Sequence, residues 1–169
     1  LREERALGTD LGNLAAVEMD AGRLVPDDIV NKVLVASMRR MIENRVPGVI
    51  LDGYPRNVEQ VSALIDLLTE LGLKLDKVIN LEVPKEELVR RAKKRYDETP
   101  DDKKRPDDGN EDTRDQRLAF FESMTRPAIS YMRTLEGVEF HDIDAQHGPE
   151  TTQKLIREKV KDLLGDIVD

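Results

Sequence analysis

Apolar residues recur along this chain with two different spacings, and segments with the two spacings alternate. Residues 25–45 place apolar side chains such as Ile29, Val33 and Met41 on one stripe of a helix. The same spacing predicts further helices over 9–22, 57–72, 84–96, 112–135 and 149–164, with a bend at Pro127. Short segments that contain apolar residues predict strands over 48–52, 77–83 and 138–144.

This alternation of strands and helices predicts an α/β fold in which a parallel sheet is flanked by helices. In such folds, ligands bind beyond the carboxyl ends of the strands. Asp52 is the last residue of the strand predicted over 48–52, and Gly53 and Arg56 come after it. The turn that contains them is therefore the first candidate site.

Composition and charge argue against several classes of function. A chain of 169 residues with 38% hydrophobic residues suits one globular domain with a sizeable core. Its net charge of −8 argues against a general binder of nucleic acid or of anionic membranes. The sequence has no cysteine, which excludes thiol catalysis and thiolate zinc sites and favours a reducing compartment. We expect a cytoplasmic protein with neither nucleic-acid nor membrane partners.

The first candidate turn has a functional and a structural interpretation. An apolar strand that ends in an aspartate has the form of a Walker-B element, in which Asp52 would order Mg²⁺ beside nucleotide phosphates. Gly53 would let the backbone approach a ligand, and the planar guanidinium of Arg56 would bind phosphate oxygens in pairs. However, many strands end in an aspartate that only caps a helix or forms a turn, and these residues alone favour that interpretation.

Further arginines surround a polar segment at 97–111, which we expect to be solvent-exposed. Arg91 and Arg95 lie four residues apart before it, Arg105 lies within it, and Arg117 lies in the next predicted helix. Together they could close as an electrostatic clamp on a polyphosphate. On spacing alone, a solvated basic face paired with nearby acidic residues is the favoured interpretation.

Gln60 also has two interpretations. With Asn57 it forms a capping box at the start of the helix over 57–72, which is a structural role. Alternatively, its amide could offer a donor and an acceptor to the edge of a base. His141 and His147 have no third metal ligand near them in the sequence, and we interpret both as structural or surface residues. The motifs GxxxxGK[ST] and GxGxxG do not occur in these 169 residues.

The stretch ILDGYPRNVEQ at 50–60 resembles the signature of the adenylate kinases, within the nucleoside monophosphate kinase family. Residues 1–30 resemble the monophosphate-binding segment of that family. VPKEELVRRAKKR at 83–95 and RPDDGNEDTRDQRL at 105–118 resemble the segments that enter and leave its lid, and IDA at 143–145 resembles a strand end near the adenine of ATP. Because the resemblance covers nearly the whole chain, it favours the functional interpretations over the structural ones.

The resemblance implies an α/β fold of the P-loop NTPase type and the reversible reaction of Mg·ATP with AMP to give two ADP. Catalysis in this family rests on positioning and charge, without a protein nucleophile. It further implies a nucleoside monophosphate-binding segment at 1–25, a short lid at 96–105, and core segments at 26–95 and 106–169. We expect a monomer whose small-molecule partners are ATP, AMP and ADP, with Mg²⁺ and no zinc.

Residue roles follow from the resemblance by position. Asp52 would order Mg²⁺ through water, Gln60 would read adenine, and Gln146 would lie near the base of ATP. The implied catalytic residues are Asp52, Arg56, Arg91, Arg95, Arg105 and Arg117. The implied AMP-binding residues are Arg2, Gly22, Arg23, Leu24, Val25, Gly53, Arg56, Gln60, Arg105 and Arg117, and the implied ATP-binding residues are Arg91, Arg95 and Gln146.

Three departures from the family pattern modify these expectations. The lid is too short for the hairpin that binds zinc in some relatives. Asn57 stands where adenylate kinases often carry threonine and UMP/CMP kinases often carry asparagine, although those kinases usually lack a glutamine at position 60. Finally, the first strand, the P-loop with its lysine and the first helix of the family would precede Leu1.

From this last departure we expect the exact chain to be inactive or impaired. Two alternatives stay open at this point. The chain could be a UMP/CMP kinase of the same fold, or a non-catalytic AMP-binding fragment that needs a P-loop partner.

Overall fold

The structure, a computed structural model, describes residues 2–20, 25–100 and 111–164. Its helices are α1 (Arg2–Ala6), α2 (Asp10–Asp20), α3 (Asp27–Glu43), α4 (Val58–Glu70), α5 (Lys85–Glu98), α6 (Glu111–Phe120), α7 (Arg126–Met132) and α8 (Pro149–Leu164). Its strands are β1 (Lys77–Glu82) and β2 (Glu139–Asp144). Contacts divide the chain into unit 1 (Leu1–Lys74) and unit 2 (Leu75–Asp169).

The predicted helices are confirmed to within a few residues at their ends, except that the helix predicted over 112–135 is interrupted. The predicted α/β class with a parallel sheet is confirmed as well: β1 and β2 pair in parallel, with Lys77 opposite Glu139 and Glu82 opposite Asp144. Every helix in the described parts of the chain is too short or too polar to cross a membrane.

The predicted strand at 48–52 is wrong. These residues have no strand conformation, and Ile50 is 91% exposed. A strand is stabilised by hydrogen bonds to a neighbouring strand, and none of the described residues pairs with this segment. An apolar run therefore did not suffice to predict a strand here. Asp52, at the end of the segment, and Gly53 lie in a bend.

Unit 1 has a core built from the apolar faces of its helices. Val61, Leu64, Leu67 and Leu68 are buried from α4, at the spacing of one helical face. From α3, the buried residues are Val33 and Met38, and from α2 it is Ala15. This packing brings the beginnings of α3 and α4 together, which is where the candidate site of unit 1 lies.

A buried ion pair fixes the start of the chain in unit 1. Glu4 of α1 is 2% exposed, and its carboxylate accepts hydrogen bonds from Arg40 of α3 and from the Thr9 hydroxyl, the latter at 2.8 Å. The hydrogen bond from Arg40 holds the pKa of Glu4 below its usual range, although burial opposes this. Any Cβ at Gly12 would overlap the backbone carbonyl of Glu4, so α1 and α2 can approach this closely only with glycine there.

Unit 2 places helices around the two parallel strands. Its buried residues include Ile143 of β2, Ala92 of α5 and Met132 of α7. Lys77 of β1 is only 7% exposed at its side chain, and its ammonium group lies 2.6 Å from Glu139 and 3.1 Å from Asp162 of α8. These ion pairs connect both strands to the last helix.

The helix predicted over 112–135 is interrupted differently from the prediction. Instead of a simple bend at Pro127, a π-helical turn at Phe121–Thr125 separates α6 from α7. Its last hydrogen bond runs from the N–H of Arg126 to the carbonyl of Phe121. Proline lacks an N–H, and the wider π turn immediately before it accommodates the hydrogen bond that α-helical geometry would lose.

Replacing Glu4 tests the buried ion pair. We expect Glu4→Gln to lower the free energy of unfolding by about 2 kcal/mol at pH 7, because it removes charged hydrogen bonds at a buried site. The pKa of Glu4 is lower in the folded protein than its ordinary value of 4.5. The stabilisation is thus complete above pH 4.5 and is lost as the pH falls through the folded pKa.

Urea unfolding followed by circular dichroism at several pH values measures this difference, with the exposed Glu43→Gln as a control. A difference between Glu4→Gln and the unsubstituted protein that stays constant on acidification would contradict the proposed ion pair.

Candidate functional site

The turn after residue 52 folds the Arg56 side chain back over Gly53. The Nε of Arg56 donates a hydrogen bond to the Gly53 carbonyl at 2.6 Å. Gly53 has a φ of +70°, and a Cβ at this position would lie 2.8 Å from the Nη2 of Arg56. The backbone conformation therefore favours glycine, whereas a Cβ would only displace the end of the flexible Arg56 side chain from its place over the turn. The exposed guanidinium of Arg56 is held at a defined place beside this turn.

The first turn of α4 is capped by two side chains. Asn57 is the N-cap, and its Oδ1 accepts from the backbone N–H of Gln60 at 2.7 Å. The Oε1 of Gln60 accepts from the backbone N–H of Arg56, also at 2.7 Å. Gln60 therefore has the capping role predicted as the structural interpretation. Its side chain accepts from the N–H of Arg56, the residue before the N-cap, and not from that of the N-cap itself. With 6% of its surface exposed, its amide is held in one place.

Asp27 of α3 connects these two amides. Its Oδ2 accepts from the Nδ2 of Asn57 at 2.7 Å, and its Oδ1 accepts from the Nε2 of Gln60 at 2.6 Å. We call Asp27, Asn57 and Gln60 the Asp27 cluster. Sequence reasoning missed Asp27, whose only signal was an acidic residue in the first turn of a helix. Its partners follow thirty residues later, and only the packing of α3 against α4 brings them together.

Tyr54 extends this network. Its hydroxyl donates to the Oδ1 of Asn31 at 2.8 Å and lies 3.1 Å from the Gln60 carbonyl. Burial raises the pKa of Tyr54 to about 12, and the negative charge of Asp27 adds to this effect. The hydroxyl therefore stays neutral at physiological pH and keeps its proton available for donation.

The other residues predicted for this half of the site are described only in part. Asp52 is exposed, and Val25 is half-buried just before α3. Arg2 lies in α1, but its side chain is outside the described residues, as are Gly22, Arg23, Leu24 and Arg105 altogether. Within 2–20, 25–100 and 111–164, no three or more His, Cys, Asp or Glu side chains form a group that could hold a metal ion.

Unit 2 contains a cavity of about 860 Å³ at the carboxyl ends of β1 and β2. This is where a parallel sheet is expected to bind its ligand. Arg95, Arg117 and Gln146, all predicted from the sequence, line the cavity together. Arg126 and Arg133 line it too, and sequence reasoning missed both because nothing in their local spacing distinguishes them from other charged residues on a helix.

The two missed arginines are held by acidic and aromatic partners. The Nε of Arg126 donates to Glu122 at 2.5 Å, one turn earlier, and its guanidinium lies 5.5 Å from the ring centre of Phe121. Arg133 donates to Asp142 at 2.6 Å and lies 4.2 Å from the ring centre of Phe140. These contacts orient planar cations at the wall of the cavity.

Arg91 is not among the residues that line the cavity but supports its edge. Its Nη2 donates to the carbonyl of Ala145 at 2.6 Å, and its Nε donates to Glu87 at 2.7 Å. Hydrogen bonds from Arg90 and then Arg91 lower the pKa of Glu87 to about 2. In this arrangement, Arg91 connects α5 to the residue before Gln146.

Gln146 itself closes a tight turn after β2. Its backbone N–H and its Nε2 donate to the two carboxylate oxygens of Asp144, at 2.9 and 2.5 Å. The backbone hydrogen bond from Gln146, followed by the side-chain one, keeps the pKa of Asp144 below its usual range. The cavity therefore has a fixed polar corner beside its cationic wall.

Comparison with known proteins gives one consistent family. The model of the family described as adenylate kinase matches residues 1–136. The chain is 38% identical over 133 residues to an adenylate kinase of Phocaeicola vulgatus, covering 79% of this chain and 67% of the relative. It is 42% identical over 137 residues to that of Maricaulis maris, covering 78% and 66%.

An adenylate kinase of Archaeoglobus fulgidus is 35% identical over 186 aligned positions, which cover 95% of this chain and 84% of the relative. This alignment is longer than the chain, so the archaeal protein has residues that this chain lacks between matched positions.

The pKa of Tyr54 gives a test of the network around Gln60. An ionised Tyr54 could no longer donate to Asn31, and the folded protein holds the proton more tightly than the unfolded chain does. Stability should therefore fall as the pH rises from about 10 towards about 12. In Tyr54→Phe this alkaline loss should be smaller, whereas at pH 7 the variant should be about 1 kcal/mol less stable because a buried hydrogen bond is lost.

Urea unfolding at pH 7, 9 and 11 measures both effects. Identical alkaline losses in Tyr54→Phe and in the unsubstituted protein would exclude the buried hydroxyl as their cause.

Proposed function

Because this chain belongs to the adenylate kinase family, we propose that it acts on AMP as phosphoryl acceptor and on Mg·ATP as donor. This membership confirms the predicted family, the α/β fold of the P-loop NTPase type, and the predicted class of enzyme, an adenylate kinase-like phosphotransferase. The observation that best supports the proposed donor is the cavity of unit 2, where Arg95, Arg117 and Gln146 come together at the ends of the strands.

The acceptor half of the proposed reaction belongs to unit 1. We assign the phosphate of AMP to Arg56 and Arg2, and the surroundings of the nucleoside to Gly53 and to residues 22–25. The exposed guanidinium of Arg56 supplies the planar pair of donors that suits phosphate oxygens. Gln60 is assigned to the base, in addition to its contacts with Asp27 and Arg56.

The donor half belongs to unit 2. Arg95 is assigned to the phosphates of ATP, and Arg105 and Arg117 to the phosphoryl group in transfer and to AMP, where their charge would stabilise negative charge that develops during transfer. Gln146 is assigned to the base of ATP. Arg91 holds the carbonyl of Ala145, so we give it the role of positioning Gln146 as well as its family role towards ATP.

Magnesium would enter as part of the substrate Mg·ATP. Mg²⁺ keeps several waters and is commonly bound by one or two carboxylates together with substrate phosphates. The exposed carboxylate of Asp52 suits this kind of binding, through water, without a cluster of protein ligands. The cytoplasmic location, the monomeric state and the boundaries of a short lid at 96–105 stay predictions, as does the absence of zinc.

The chain gives no new support to the UMP/CMP kinase alternative. That alternative rested on Asn57, and both ends of the Asn57 side chain are used within the protein, one as the cap of α4 and one towards Asp27. A binding-only function has one observation in its favour. Arg56 and Gln60 lie in unit 1, which has a core of its own. Such a protein would bind AMP but would not bind a bisubstrate dinucleotide more tightly.

Replacing Arg95 tests the proposed reaction. The inactivity or impairment of this exact chain stays a prediction, and we expect Arg95→Ala to reduce whatever ATP:AMP phosphotransfer the chain supports by about 10²-fold, because one charge-stabilising group is removed. The melting temperature should change little, since Arg95 is exposed. The neighbouring Lys94→Ala is the control, because Lys94 is also exposed and pairs only loosely with Glu98 at 3.7 Å.

A coupled assay of ADP formation, with melting curves for each variant, measures these effects. Equal losses of stability and activity in Arg95→Ala would indicate a structural ion pair. AMP binding without phosphotransfer and without tighter binding of a bisubstrate dinucleotide would support the binding-only function, whereas tight bisubstrate binding without phosphotransfer would indicate an impaired kinase.

A further inference from the structure

We propose that Asp27 is a positioning residue that fixes the orientation of the Gln60 amide and thereby sets the base specificity of the acceptor site. The preferred base would present an amino donor beside a ring-nitrogen acceptor. This inference rests on the proposed function, because it assigns a specificity determinant to the same acceptor site.

The orientation of the Gln60 amide follows from the chemistry of its two partners. The backbone N–H of Arg56 can only donate, so the atom 2.7 Å from it must be the amide oxygen. The Asp27 carboxylate can only accept when ionised, so the atom 2.6 Å from Oδ1 must be the amide nitrogen. Rotating the amide by half a turn would place oxygen against oxygen and N–H against N–H.

Asp27 cannot simply turn away, because its second oxygen is also occupied. Oδ2 accepts from Asn57, whose own orientation is fixed by the backbone N–H of Gln60. The two amides of the Asp27 cluster therefore both need an acceptor from position 27. Only a carboxylate offers two acceptor atoms there, and an amide offers one.

The fixed amide determines what a base can bind. A glutamine amide has two N–H donors and two oxygen lone pairs, and the cluster uses one of each. One donor and one acceptor remain, in a known order. They match an amino group beside an unprotonated ring nitrogen, as in adenine or cytosine. They do not match the corresponding edges of hypoxanthine and uracil, which carry a keto oxygen in place of the amino group.

Nucleotide binding with matched bases tests this inference. We expect the unsubstituted protein to bind AMP at least about tenfold more tightly than IMP, and CMP more tightly than UMP. The reason is that the base edges of IMP and UMP do not match the donor and acceptor of the Gln60 amide. In Asp27→Asn the ratio of IMP to AMP dissociation constants should fall by about threefold to tenfold, since one hydrogen bond no longer fixes the amide. Isothermal titration calorimetry on the whole chain measures all four nucleotides.

Asp28→Asn is the matched control. Asp28 is the next residue in α3, is exposed, and among the described residues pairs with Lys32 at 3.5 Å. It should keep the ratio of the unsubstituted protein. Asp27→Glu, which retains two acceptor oxygens, should keep the preference for the amino-bearing base. A simple structural role for Asp27 would weaken AMP and IMP equally and leave the ratio unchanged.

The outcomes separate this inference from the function on which it rests. No binding of any nucleoside monophosphate by the unsubstituted protein would contradict the proposed acceptor site itself. A preference for AMP that is unchanged in a folded Asp27→Asn would overturn only the role of Asp27. If Asp27→Asn does not fold, equal affinities of the unsubstituted protein for AMP and IMP would still overturn the inference.

Discussion

A single carboxylate connects the beginnings of the two helices in the proposed acceptor half. Asp27, in the first turn of α3, accepts one hydrogen bond from each of the two buried amides at the start of α4. Removing such an acceptor leaves buried polar groups without partners. The free-energy cost of this is larger than the net contribution of the hydrogen bond to stability. The negative charge also lies near the beginnings of two helices, where helix dipoles favour it. The place of Arg56 follows from this contact, because its backbone is tied to Gln60.

Unit 2 arranges charge in a different way. Arg91, Arg126 and Arg133 each have an acidic partner, and these partners keep the guanidinium planes in fixed orientations. The ion pairs are partly exposed, so their contribution to stability is small. Their consequence is geometric: Arg126 and Arg133 form a cationic wall in a cavity large enough for a nucleotide at the ends of the strands, and Arg91 holds the edge of that cavity through Ala145. A fixed set of charges does not need to rearrange when a phosphate arrives, which is the condition for electrostatic catalysis.

The helices were predictable because their signals are local, but the strands were predictable only in part. The apolar stripes of α3 and α4 are contained in their own sequences. An apolar run such as residues 48–52, by contrast, becomes a strand only if another strand pairs with it. Spacing raised the arginines at 91, 95 and 117 as candidates but favoured a solvated face, and only the resemblance favoured their functional interpretation. Asp27 and Arg133 could not be found in advance, because their roles depend on partners that folding brings near.

Gln60 shows why the structural and functional interpretations of one residue need not exclude each other. The amide has four hydrogen-bonding positions, of which the protein uses two. The contacts that make it a capping residue also give it a defined orientation, and a defined orientation is what recognition of a base requires. We therefore propose that AMP binds in unit 1 beside this amide.

The most direct test of that claim is a titration of the ¹⁵N-labelled protein with AMP, followed by two-dimensional NMR. We expect saturable shifts of the Gln60 side-chain amide and of the backbone amides of Gly53 and Arg56. Saturable shifts that leave these three groups unchanged, or no shifts at millimolar AMP, would contradict it.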